Sequence, residues 1–188
     1  SPSSVAATIK RITAPAHRRA EAVVDAVDPF GSIASYGRYL TKLHAFYATL
    51  EPPLFDRLDM LVPDARRRRK LAWIEDDLRA LAIDPPREVA VSVPRIVRDA
   101  GAIGVAYVLE GKTLGSRFLL EEAKRRLALD GRGVRFFTGY GAETGAMWKA
   151  YRADLDEFAR THGQRRAIVN GALAAFASFT SWIAQAPA

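Results

Sequence analysis

The chain has 188 residues, 49% of them hydrophobic, no cysteine and a formal charge of +7. That length and composition suit one folded domain over residues 1–188 and exclude a disordered chain. The missing cysteines exclude disulfides, thiolate metal sites and cysteine nucleophiles. The positive charge admits nucleic acid, anionic lipid, an acidic protein or an anionic small molecule as partner.

The opening Ser1-Pro2-Ser3-Ser4 lacks the charged-then-apolar pattern of a secretory leader. The purely apolar runs fall short of the roughly 20 residues that cross a bilayer. A cytoplasmic protein with no membrane span is therefore expected.

In chain order, apolar residues recur every three or four positions. Val5, Ile9, Ile12, Ala16, Ala20, Val23 and Val27 mark the face of a first helix. Pro15 interrupts it, and Thr13 is placed to act as an N-cap, so a kink or restart is expected near Thr13. Ile33, Tyr36, Leu40, Leu43, Tyr47 and Leu50 mark a second helix, with Pro52-Pro53 as the next break. Leu71, Ile74, Leu78 and Leu81 mark a third, followed by Pro85-Pro86. A long fourth segment runs from about Pro94 to Leu129. Trp148, Tyr151, Leu155 and Phe158 mark a fifth, and Ile168, Ala172, Phe176, Phe179 and Ile183 a sixth. No segment alternates as a strand would. The expectation is an all-α bundle of about six main helices.

Three features could carry chemistry. Gly111 and Gly115 lie four apart inside the fourth helix, with Gly104 seven residues earlier on nearly the same face. Each costs roughly 1 kcal/mol against alanine, so something must need the missing side chains. Close helix–helix contact is one explanation. A flat ligand lying against backbone, with the helix bending over it, is the other. Second, His17 and Glu21 share a helix face. A carboxylate on Nδ1 fixes the tautomer and leaves Nε2 free for a metal, although a surface ion pair is the commoner use of this spacing. Third, Lys10 lies two turns before His17 and could pair with a ligand carboxylate.

The basic run Arg66-Arg67-Arg68-Arg69-Lys70 fits the solvated start of a helix, with a docking face for an acidic electron donor as a further use. No aromatic residues interleave it, which disfavours nucleic acid. His44 and His162 have no matching partners and are expected at the surface or its boundary.

Together these residues resemble a known family. Thr13-x-x-x-His17-x-x-x-Glu21, Tyr39-Leu40, Phe46-Tyr47-x-x-Leu50-Glu51-Pro52 and Tyr107-Val108-Leu109-Glu110-Gly111-x-Thr113-Leu114-Gly115 resemble the haem oxygenases, above all the bacterial branch found beside bacteriophytochromes. Arg135-Phe136-Phe137, Gly139-Tyr140-Gly141, Trp148-x-x-Tyr151 and Ala174-Ala175-Phe176 continue the likeness in the right order.

The resemblance implies an all-helical fold with haem, as substrate and cofactor, between the first helix and a glycine-kinked distal helix. It implies His17 as iron ligand, Glu21 as its partner, Lys10 and Arg152 as propionate cations and Phe176 in the pocket wall. Gly111, Gly115 and Ser116 would form the distal surface where dioxygen is used. Ring opening would give biliverdin, iron and carbon monoxide. An external donor with an acidic face, such as a ferredoxin, flavodoxin or reductase, would supply electrons, and a bacteriophytochrome could accept the product.

Lys112 and Ser116 depart from the family pattern, where small polar or acidic residues and a second glycine are usual. The alternatives are a haem- or bilin-binding protein of this fold with impaired turnover and, more remotely, a basic nucleic-acid-binding domain. A thiaminase II-like enzyme is discounted because its cysteine nucleophile has no counterpart.

Overall fold

The computed structural model describes residues 4–85, 87 and 89–185. The residues 1–3 of the opening tetrapeptide and Pro86 of the predicted break lie outside them. Among the described residues seven α-helices follow in order: α1 Val5–Val27, α2 Ile33–Leu61, α3 Leu71–Ala80, α4 Asp99–Leu127, the single turn α5 Arg135–Thr138, α6 Thr144–His162 and α7 Arg165–Ala184. Short 3₁₀ turns at Ala65–Arg68 and Gly141–Glu143 join them. The described residues contain no strand, as the periodicity predicts.

α7 is the organising element: it packs along both α1 and α4. By length and apolarity alone α7 could cross a membrane. In this fold Ile168, Ala172, Phe176, Phe179 and Ile183 belong instead to the shared core. α4 approaches α7 at backbone distance. A Cβ on Gly104 would lie 1.9 Å from the carbonyl oxygen of Ile168, and one on Gly171 would lie 2.4 Å from that of Gly101. Glycine at these two positions is a packing requirement.

Three helix starts are satisfied from other helices. The first N–H groups of a helix have no internal partner. For α1, Asp156 of α6 accepts from the Val5 and Ala6 amides, while Ser4 accepts from Ala7. For α3, buried Glu51 of α2 accepts from Lys70 and Leu71. For α5, buried Asp77 of α3 accepts from Arg135 and Phe136. Burial nonetheless pushes Asp77 up to about 6, against the pull of those two amides. At the other pole, the Lys42 ammonium donates to the Trp182 and Ile183 carbonyls near the end of α7 and to that of Gln185 just beyond it.

Two predicted breaks are absent. α1 runs unbroken through Pro15, and Thr13 is not an N-cap: its hydroxyl donates to the Ile9 carbonyl at 2.8 Å. α2 likewise continues through Pro52 and Pro53. All three prolines sit on exposed faces. Each removes a helical hydrogen bond, but Leu50, Leu54, Phe55 and Leu58 are buried on the opposite side of α2 and hold it in the core. The predicted apolar faces are otherwise observed, with Ile12, Val27 and Ile33 emerging at the exposed edge.

Candidate functional site

α1 and α4 both pack along α7 and bound the candidate site, with His17 on the α1 side and Gly111 and Gly115 on the α4 side. On the α1 wall, Nδ1 of His17 lies 3.4 Å from the Glu21 carboxylate, and both side chains are more than half exposed. The spacing of four residues places them on one face, as expected. Nε2 of His17 has no partner among the described residues. The imidazole meets the Phe176 ring of α7 in a T-shaped contact, with centroids 5.7 Å apart. The ring thus has a carboxylate beside one nitrogen and an aromatic ring packed against it, and its other nitrogen is open among the described residues.

The α4 wall contains Gly111 and Gly115. Unlike Gly104, neither is needed for packing. A Cβ on Gly111 would make an ordinary 3.7 Å contact with Trp148, and one on Gly115 would meet nothing within 4 Å. The close-contact explanation therefore belongs to Gly104, and these two glycines leave bare backbone that the protein's own packing does not use. α4 is a continuous α-helix through both. Ser116 is buried, and its hydroxyl donates back to the Lys112 carbonyl at 2.8 Å.

Lys112, one residue beyond Gly111, reaches α7. Its ammonium lies 3.6 Å from the centre of the Phe179 ring. Although the residue as a whole is half-buried, burial pushes the ammonium down to about 8, while the charge of Glu21 holds it up. Lys112 therefore belongs to the same cleft as His17 and Glu21. Lys10 is exposed on α1. Arg152 is exposed on α6, with its guanidinium 5.6 Å from the Trp148 ring that backs Gly111.

The basic run is solvated, as expected, only at Arg66, Arg67 and Arg69. Arg68 and Lys70 are buried, with side chains only 2% and 1% exposed. Each reaches one oxygen of buried Glu110 at 2.5 Å. The Tyr140 hydroxyl donates to the same carboxylate at 2.8 Å, and Asp64 takes Arg68 from the outer side. Of the outward residues, Arg67 pairs with Glu143 and Arg69 with Asp59. Arg68 and Lys70 thus form an internal ionic clamp on α4, immediately before Gly111, while Arg66, Arg67 and Arg69 stay on the surface.

His44 is buried rather than superficial, with Nε2 3.6 Å from Glu75. His162 is exposed, stacked on Phe158. Sequence reasoning assigned no role to Glu110, Trp148 or Phe179. A lone carboxylate inside the apolar run from Tyr107 to Gly111 was the available signal for the first.

This constellation matches one known family over almost the whole chain. The sequence profile described as Heme oxygenase covers residues 3–185. The chain belongs to the haem oxygenase family. The resemblance read from the motifs is thereby borne out, and haem oxygenases are oxidoreductases that degrade haem to biliverdin. Among curated relatives, a Heme oxygenase of Xanthomonas campestris is 29% identical over 151 residues, covering 80% of this chain and 89% of that protein. Heme oxygenase PigA of Pseudomonas aeruginosa is 28% identical over 171 residues, covering 87% and 83%. Among solved structures, the NO- and CO-bound heme oxygenase of Neisseria meningitidis superposes with a TM-score of 0.83 at 24% identity, covering 96% of this chain and 90% of that one. The heme oxygenase of Leptospira interrogans gives 0.81 at 20% identity, covering 97% and 99%. At those identities the structural matches speak for the all-α fold.

Proposed function

We propose that the cleft between α1 and α4 binds haem and that the chain opens it to biliverdin, with release of iron and carbon monoxide. The observation that carries this reading is the pair Gly111 and Gly115. The protein's own packing does not require glycine there, and the same cleft presents a histidine nitrogen with no protein partner. Bound haem supplies the oxygen chemistry through its iron, given dioxygen and electrons.

The chain's residues then have distinct tasks. His17 holds the iron through Nε2, and Glu21 keeps the proton on Nδ1 and so fixes the tautomer. Phe176 restrains the imidazole ring. Gly111 and Gly115 let the ring system approach backbone, and Ser116 keeps its hydroxyl turned into its own helix. Lys10 and Arg152 are the cations for the propionates. The electron donor is an acidic ferredoxin, flavodoxin or reductase in the cytoplasm, and a bacteriophytochrome is the acceptor that the family resemblance favours.

The test is a haemin titration followed by an electron donor in air with catalase present. A Soret band that forms and then decays as a biliverdin absorption rises is the expected result. His17→Ala should lose the normal Soret spectrum. Full haem affinity and an unchanged spectrum in that variant would overturn the assignment. Lys112 favours a second reading, because it sets a cation where the family has small or acidic groups. A Soret band that persists under reduction in air would identify a haem-binding protein with impaired turnover.

A further inference from the structure

The cleft contains one positive charge that the proposed haem chemistry does not use. Lys112 leaves α4 directly after Gly111 and seats its ammonium on the Phe179 ring. Phe179 lies one turn along α7 from Phe176, which meets His17. Glu21, the carboxylate beside His17, is the acidic group whose field Lys112 feels. No carboxylate lies within 4 Å of the ammonium among the described residues, so its charge is not cancelled by an ion pair. The aromatic seat stabilises it without neutralising it. Lys112 therefore adds a localised cation, outside any close ion pair, to a cleft with low-dielectric walls.

Such a charge favours whichever state of a neighbouring group holds more electrons. We propose that Lys112 sets the reduction potential of the bound haem iron, holding it above the value that a neutral residue at this position would give. The proposal rests on the reading of the cleft as the haem site. The step concerned is the transfer of one electron from the external donor to the substrate iron. No proton moves in it, and Lys112 keeps its own. Lys112 acts here as a positioning charge; no contact with the ring is required.

The experiment compares the haemin complexes of the wild type, Lys112→Met and Lys112→Arg by spectroelectrochemical titration. Methionine keeps an unbranched stem and removes the charge, and arginine restores the charge. At a fixed applied potential the ferrous-to-ferric ratio should fall about tenfold in Lys112→Met, a midpoint about 59 mV lower. Lys112→Arg should return it towards the wild-type value, which a merely structural role of the side chain would not require. Lys112→Gln serves if the methionine variant fails to fold. Equal midpoints in all charge-removed and charge-kept variants, with normal Soret bands, would overturn the proposal and leave the haem reading standing. A midpoint that rises on charge removal overturns it equally. If the wild type forms no Soret band, the functional reading itself fails, and the proposal falls with it.

Discussion

Two halves of α4 carry glycines four to seven residues apart and use them in opposite ways. In the first half, residues 102–110 are all buried. Gly104 lets that stretch touch the backbone of α7, and Glu110 ties it to Arg68, Lys70 and Tyr140. In the second half, Gly115, Leu114 and Phe118 are exposed. One stretch is clamped and the next is open, with Gly111 at the boundary. Glycine in a helix thus has no single meaning. Only the space around a missing Cβ tells a packing device from a surface kept bare for a ligand.

The clamp is the most sensitive point of that contrast. Glu110→Ala leaves two buried cations without their shared anion, and breaking such a group costs about 3–5 kcal/mol. Denaturant unfolding should show a loss of that size. A loss below 1 kcal/mol would mean that Arg68 and Lys70 find other partners and that the first half is not held ionically. Gly104→Ala is next. Its methyl would stand 1.9 Å from the Ile168 carbonyl, on backbone that cannot rotate away. Overpacking of this kind costs about 1–3 kcal/mol, enough to outweigh the helix-propensity gain of alanine. A thermal melt at or above the wild-type midpoint would show that α4 and α7 do not meet there as closely as described.

Much of this arrangement was legible in the sequence because periodicity records burial directly. The faces of α2, α3, α6 and α7 follow from it, and the His17–Glu21 pair follows from spacing of four. Three kinds of feature were hidden. Caps were hidden because Asp156, Glu51 and Asp77 reach helix ends 151, 19 and 58 residues away. The proline breaks were misjudged because a local cost of about 3 kcal/mol can be offset by apolar faces whose partners lie far along the chain. The basic run looked solvated because Glu110, the residue that draws Arg68 and Lys70 inside, lies 42 and 40 residues downstream. The use of Gly111 and Gly115 could not be separated from that of Gly104 by spacing, since all three lie on nearly one face. What separates them is the presence of Ile168 at one and of open space at another.

Gly115→Ala offers the smallest stability effect and the sharpest test of that separation. A methyl there meets nothing within 4 Å, so it should remove the entropic penalty of glycine and stabilise the helix by about 0.5–1 kcal/mol. If the bare backbone serves a ring lying against it, the same methyl should weaken haemin binding or slow the decay of the Soret band, while Lys10→Ala, on the opposite wall, leaves stability unchanged. A variant that is both more stable and fully active would show that the open half of α4 is bare without being used. A variant that is more stable and impaired would show that the chain forgoes helix stability at Gly115 to keep its distal wall flat.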